Sequence, residues 1–584
     1  MRRLLALAAE GSLGTLRQVS DLTSRAKEWI AGDPDPATRR ELQELLDRGD
    51  TAGLSDRLDG SLSFGTAGIR GVVGAGPNRM NRAVVIRTSR GLADYLLDVY
   101  GGPPTRPVVV GFDARPDSRR FAEDTAGVLG AAEIPVLYFP EFAPTPLVAF
   151  AAKHLAAAAA VVITASHNPP AYNGYKVYGA NAAQIIPPTD AQIAQAIEAV
   201  GPASGVPLLE DPFDAASDIV APVPPHIFDC YWVEVNGQRR RRSGSELKIV
   251  YTPLHGVGGE AVGELFARAG HRRLLPVPEQ VAPDGSFPTV EFPNPEEPGA
   301  LDLAMAMAES EGADLILAND PDADRLAVAL PFGGGWRLLS GNEIGVLLGD
   351  YLITDIESTP IVVSSIVSSP TFKRLVEKLG GVHEATLTGF KWIVNAGLTL
   401  EEEGRGRFVF GYEEALGYTV GGTVRDKDGM SAALIFADLA ADLAERERSP
   451  WERLAELWAE FGLWVSAQHS VTRTGPGGME SLVEAVDRIS QEPPETVGEW
   501  RVEAVTDYRV GAESRPPWLG AQALVEVDLG EVGRLLVRPS GTEPKLKIYA
   551  DLVGRVGERP IQDRDRLTAR ALALAEELGA LAGL

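Results

Sequence analysis

Residues 161–178, VVITASHNPPAYNGYKVY, put a small hydroxyl directly after a buried apolar run. The run 158–163, AAAVVI, does not alternate, and so reads as an interior strand of a parallel sheet. Residues 164–170 form the turn that leaves its carboxyl end, where open α/β sheets keep their chemistry. Ser166 stands in that turn beside His167 and Asn168, Pro169 and Pro170 fix the backbone, and Lys176 follows. An ordinary strand-to-helix connection has the same composition. The serine gains meaning from two other segments.

The first is 313–326, ADLILANDPDADRL. A second buried strand is followed at once by Asp320, Asp322 and Asp324 at alternate positions, then by Arg325. Carboxylates this close repel unless a cation lies between them, and alternate spacing in a tight turn aims all three at one centre. An all-oxygen ligand set favours magnesium over zinc. A calcium loop is excluded, because its sixth position is Arg325 in place of glycine and its twelfth is Pro331 in place of glutamate. A solvated acidic turn is the plainer reading, exemplified by Asp33-Pro34-Asp35-Pro36, but that run follows no strand and lacks a third acid.

The second is 538–545, RPSGTEPK, between the strand-like runs GRLLV and LKIYADL. Ser540, Gly541 and Thr542 offer two hydroxyls and unhindered amides, and Arg538 adds a planar fork of donors, a set that suits a phosphate dianion. A structural hairpin turn accounts for the same residues.

A serine loop, a metal loop and a phosphate loop in this order resemble the α-D-phosphohexomutase superfamily of phosphoglucomutases and phosphomannomutases, over nearly the whole chain. Further matching segments are SFGTAGIRG (63–71), GFDARPDS (111–118), YTPLHGVG (251–258), TLTGFKW (386–392), GYEEALG (411–417) and VRDKDG (424–429). With FPNPEEPG, they look closest to the branch of phosphopentomutase and glucose-1,6-bisphosphate synthase and its bacterial phosphoglucomutase relatives. The resemblance implies a phosphoserine at Ser166 that completes a magnesium shell with the three aspartates. It places Glu413, Thr388, Gly389, Lys391 and Lys427 on the sugar phosphate and Arg538, Ser540, Gly541 and Thr542 on its distal phosphate. Arg70, Lys176 and Arg325 take the groups that move protons or stabilise charge, with His167 as an alternative. It further implies a phosphosugar mutase interconverting sugar 1- and 6-phosphates, with glucose 1-phosphate first and glucose 1,6-bisphosphate as activator. One position departs from the pattern: where many members carry serine in the sugar loop, Ala415 has no hydroxyl. Glucose, mannose and pentose phosphates all remain open as substrates.

At 584 residues and 45% hydrophobic content the chain has ample core for several domains. The alternation of strand-like and helix-like runs predicts an α/β protein. Together with the resemblance, it gives three similar α/β/α sandwich domains with mixed sheets and a smaller α+β C-terminal domain around a central cleft. The boundaries are 1–222 (a helical extension and the serine loop), 223–354 (the metal loop), 355–464 (the sugar loop) and 465–584 (the phosphate loop), with NEIGVLLGDYLIT closing the second. A net charge of -26 opposes nucleic-acid binding. The run Arg239 to Arg242 reads as a solvated loop. A lone Cys230 excludes an intrachain disulfide, and neither a full signal-peptide core in MRRLLALAAEG nor a membrane-length apolar segment is found. The expectation is a cytoplasmic monomer or homodimer whose partner is a small phosphosugar, with no nucleic acid and no membrane. A metal-dependent phosphatase would use clustered aspartates without a second phosphate clamp. A non-catalytic sensor would not need the serine and all three acids, and no GK[ST] loop supports a nucleotide-driven kinase.

Overall fold

The central strands are apolar along their length because helices cover both faces of their sheets. Val108–Phe112 and Ala159–Ile163, for example, are buried at every position. The computed structural model describes residues 21–65, 68–213, 218–473, 477–539 and 545–584. The first sheet contains β1 (Ile69–Val72), β2 (Val108–Phe112), β3 (Val136–Tyr138), β4 (Ala159–Ile163), β5 (Tyr172–Tyr178) and β6 (Val220–Pro222), in the order β1-β5-β4-β2-β3-β6. The second contains β7 (Ile249–Thr252), β8 (Leu274–Pro276), β9 (Leu315–Ala318), β10 (Ala327–Phe332) and β11 (Gly335–Leu338), in the order β11-β10-β9-β7-β8. The third contains β12 (Pro360–Ser365), β13 (Val382–Thr386), β14 (Arg407–Glu413) and β15 (Gly417–Val420), in the order β13-β12-β14-β15.

One plan underlies all three. The blocks β3-β2-β4-β5, β8-β7-β9-β10 and β13-β12-β14-β15 each pair three parallel strands and end on an antiparallel fourth. The serine loop, the aspartate loop and the 414–416 turn after Glu413 are the same connection in the three blocks, from third strand to fourth. Each holds one non-glycine residue in the left-handed region: Ser166 (φ 53°), Ala323 (φ 60°) and Leu416 (φ 62°). Such residues cost about 1–3 kcal/mol each and persist only where their surroundings over-determine them.

The fourth sheet differs. It contains β16 (Leu463–Thr472), then, after a small ribbon of β17 (Thr496–Val497) and β18 (Trp500–Arg501), β19 (Ala504–Asp507), β20 (Val525–Asp528), β21 (Gly533–Pro539) and β22 (Lys545–Gly554). All its pairings are antiparallel, in the order β16-β22-β21-β20-β19, and helices Gly478–Gln491 and Pro560–Leu581 pack against it. The expected fold class of three like α/β/α units and a smaller α+β unit is the one observed.

Three local expectations are corrected. Helix Gly341–Ile353, expected to close the second unit, lies on β14 of the third. Its glycines allow the close approach: a Cβ on Gly345 would fall 2.5 Å from the Tyr412 ring, and one on Gly349 2.2 Å from Phe372. The run Arg239 to Arg242 is solvated only in part: Arg240 and Arg242 are exposed, while acids on helix Gly429–Ala444 and just beyond it draw Arg239 and Arg241 inward. Buried Arg239 grips Asp438 at 2.8 and 2.9 Å, and Arg241 reaches Asp442 and Glu445 at 2.6 and 2.5 Å. Asp33 and Asp35 are likewise buried, since Asp35 caps helix Pro36–Asp47 through the Ala37 amide at 2.9 Å, and Asp33 accepts from Thr38 at 2.6 Å. Among the described residues no helix is long and apolar enough to cross a membrane.

Candidate active site

Asp320, Asp322 and Asp324 leave β9 in a turn where successive side chains converge. Their ligand atoms lie within 4.8 Å of one another and all three residues are buried. Backbone bonds pin the turn from two sides: the Thr145 amide donates to Asp322 O at 3.0 Å, and the Leu326 amide to Leu416 O at 3.1 Å. Ser166, 3% exposed, enters from the first unit and donates its Oγ proton to Asp320 Oδ2 at 2.8 Å. His167 Nδ1 lies 3.1 Å from the same Oγ.

Lys176, on β5, donates to Asp322 Oδ2 at 2.6 Å and Asp324 Oδ2 at 2.9 Å. Lys427 approaches Asp324 at 3.3 Å, and the Thr145 hydroxyl donates to Asp322 at 2.7 Å. Arg325 lies 4.0 Å from both Asp320 and Glu296, and Arg70 donates to Asn168 of the serine loop at 2.8 Å. Glu413 packs beside Lys427, a contact Gly417 permits: a Cβ there would meet Lys427 Cδ at 2.5 Å and Glu413 Cγ at 2.9 Å.

Burial and the charges of Asp322 and Asp324 push Asp320 well above the usual carboxylate range. Asp322 and Asp324 are raised by burial but end below that range, because the Lys176 ammonium, joined for Asp324 by Lys427 and Arg325, outweighs it. Lys176, lowered by burial, is raised overall by the same two acids. Asp322 Oδ1 and Asp324 Oδ1 are buried without a hydrogen-bond partner among the described residues, and the donor set is wholly oxygen. These residues fit a hard divalent cation. Burial, with Arg325 and Arg70, drives His167 well below its ordinary value and leaves it neutral. Burial pushes Glu413 up to about 7 against the pull of Lys427.

A second cluster forms where the third and fourth units meet. Arg538 on β21 donates to Thr388, and Gln522 donates to the same hydroxyl at 3.3 Å. Lys547, opposite Arg538 on β22, is lowered by burial despite the nearby Glu414. Gly389 takes φ 114° before helix Phe390–Glu402. Lys391 lies over the Trp392 ring, and burial lowers it to about 8. The charge that raises it is Asp190 of the first unit. Ser540, Gly541 and Thr542 lie outside the described residues.

Sequence reading missed three groups. Thr145 carries no motif signal; only the folded chain brings it to Asp322. Arg115 lay inside a quoted motif with no role assigned. Lys547 was legible, because strand alternation puts it on the face of Lys545.

A hydroxyl held against a buried acid triad that fits a hard cation, with a basic cluster where the third and fourth units meet, suits the chemistry of a phosphoryl transferase. The chain belongs to the phosphoglucomutase/phosphomannomutase family. That family's three α/β/α domains match residues 61–203, 231–333 and 340–461, and its C-terminal domain matches 499–553. The resemblance to the α-D-phosphohexomutases thus holds, and the protein is a phosphosugar mutase, an intramolecular phosphotransferase. It is 38% identical over 549 residues to a Schizosaccharomyces pombe protein named probable phosphoribomutase, covering 89% of this chain and 92% of that one. It is 35% identical over 567 residues to human glucose 1,6-bisphosphate synthase, covering 90% and 89%. A Paramecium phosphoglucomutase, parafusin, in its open form shares the fold with a TM-score of 0.66 at 16% identity, covering 89% and 96%.

Proposed function

We propose that this mutase interconverts glucose 1-phosphate and glucose 6-phosphate through a phosphoserine at Ser166 and a bound glucose 1,6-bisphosphate, which also serves as activator. The observation that carries the reading is the Ser166 Oγ to Asp320 bond at 2.8 Å, which sets a nucleophile on the rim of a cation site. Asp320, Asp322 and Asp324, with an oxygen on Ser166, would hold magnesium; when bound, the ion neutralises charge on the transferred phosphoryl group.

The chain's own groups do the rest. The substrate's free hydroxyl attacks the phosphorus, the bond from phosphorus to Ser166 Oγ breaks, and the bond to the sugar oxygen forms. The hydroxyl proton passes to Ser166 Oγ by way of Lys176, held on Asp322 and Asp324, or instead by way of His167, whose Nδ1 lies 3.1 Å from that Oγ. Arg325 and Arg70 face the charge that develops. The bisphosphate then turns end over end, and its other phosphate returns to Ser166. Both poses need one distal clamp, for which Arg538 and Lys547 are suited together with Ser540, Gly541 and Thr542. Glu413 with Thr388, Gly389, Lys391 and Lys427 would contact the sugar phosphate.

A pentose 1-phosphate is the second reading, favoured by the missing hydroxyl at Ala415 and by the phosphoribomutase name of the fission-yeast relative. Mannose 1-phosphate differs from glucose only at C2 and ranks third. The reading is tested by intact mass and turnover. Purified protein should carry one phosphate that Ser166→Ala removes, with turnover falling by several orders of magnitude. Full activity in Ser166→Ala refutes it. The sugar follows from kcat/KM on glucose, mannose and ribose 1-phosphates at fixed bisphosphate, where a hundredfold pentose preference would overturn the first choice.

A further inference from the structure

We propose that Arg115 is the positioning residue that sets the backbone of Ser166 for phosphoryl transfer, an inference that rests on the mutase reading above. Ser166 adopts φ 53°, a conformation that a side chain bearing a Cβ holds only under constraint. The constraint on its carbonyl is one guanidinium. Arg115 Nη2 donates to Ser166 O at 2.8 Å and Asn168 O at 2.6 Å, and Nη1 donates to Pro169 O at 2.8 Å and Tyr172 O at 2.9 Å. Nε donates to Asp113 Oδ2 at 3.2 Å, so all five N–H groups are used, three of them on the serine loop and one on Tyr172 at the start of β5.

Arg115 is itself fixed. Asp113 accepts from the Ser118 hydroxyl at 2.6 Å and the Arg115 amide at 3.1 Å, and Asn173 donates to Ser118 at 3.0 Å. The guanidinium lies over the Phe287 ring of the second unit, 5.0 Å from its centroid. Gly285 leaves room there, since a Cβ on it would fall 2.4 Å from Arg115 Cα. One buried side chain therefore registers the serine loop against both its own unit and the unit that carries the aspartates. Lysine cannot replace it, because an ammonium has three donors about one point and no planar fork.

The test compares wild type, Arg115→Lys and Ser118→Ala on whichever of glucose, mannose or ribose 1-phosphate the wild type turns over best. Magnesium affinity is measured in parallel, and Ser166→Ala is the control. Misplacing a nucleophile by about 1 Å costs on the order of 100-fold, so Arg115→Lys should lower kcat by about that factor while KM stays within about twofold. Magnesium affinity should change by much less than kcat, since the three aspartates keep their places and only the Ser166 oxygen shifts. Ser118→Ala, which loosens Arg115 through Asp113, should lower kcat several-fold with the same unchanged KM, and it decides the matter if Arg115→Lys does not fold. The proposal is overturned if kcat per folded molecule is unchanged in the variants that fold, or if a rise in KM accounts for the loss. Wild-type turnover in Ser166→Ala would instead refute the mutase reading.

Discussion

Thr145→Val removes one hydroxyl and keeps the side chain's shape. The hydroxyl, fully buried, donates to Asp322 Oδ2 at 2.7 Å. The Thr145 amide, unaffected by the change, still donates to Asp322 O at 3.0 Å, so the loop keeps its course. What is lost is the second donor that turns the carboxylate and leaves Oδ1 free for a cation. A hydrogen bond to a charged group contributes about 1.5–3 kcal/mol, and loss of a partner of this kind lowers metal affinity by roughly 10–100-fold. Lys176 remains on Oδ2 at 2.6 Å, which favours the lower end of that range. The assay is isothermal titration with magnesium beside turnover as a function of magnesium concentration. Affinity should fall at least about tenfold, while kcat at saturating magnesium stays within about twofold. Unchanged affinity, or a loss of kcat that saturating metal does not restore, would show that Thr145 does not act through the metal ligand.

Glu413, raised to about 7 in the folded state, keeps a proton the unfolded chain has lost, so stability should decline as pH rises from about 4.5 to 7 and level off above. Glu413→Gln should flatten that slope in denaturant titrations and stabilise the ligand-free protein at neutral pH by up to about 2–3 kcal/mol, an effect absent below pH 4.5. Arg239→Ala leaves Asp438 buried with His271 as its remaining hydrogen-bond partner, and should cost about 3–5 kcal/mol in chemical denaturation without changing KM. Ala415→Ser should restore one hydroxyl contact, about 1 kcal/mol, and raise the ratio of kcat/KM for glucose over ribose 1-phosphate several-fold; an unchanged ratio places sugar choice elsewhere.

The elements that hold the chemistry were legible because each rests on a local rule. A continuous apolar run predicts the buried strands β4 and β9, and alternate acids after one of them predict a convergent turn. Thr145 and Arg115 gave no such signal, because their partners lie far along the chain, and periodicity carries no information about contacts between distant loops. The arginine run failed for the same reason. Four like charges in sequence read as solvated, and only the fold brings Asp438, Asp442 and Glu445 to meet two of them, Arg239 and Arg241. Helix Gly341–Ile353 was assigned by its place in the alternation, whereas its small residues on the face toward Tyr412 and Phe372 carried the better clue.

The three chemical loops leave three separate sheets from one equivalent position, so the distance between the serine, the acid triad and the sugar-loop turn depends on how the sheets register against one another across an apolar core that runs on from unit to unit. That distance is set at seams, where Thr145 meets Asp322, Leu326 meets Leu416 and Arg538 meets Thr388. Heat should therefore silence the enzyme before it melts any sheet: the activity curve should fall several degrees below the loss of far-ultraviolet dichroism, and variants at the seams should widen the gap while variants inside a sheet move both curves together.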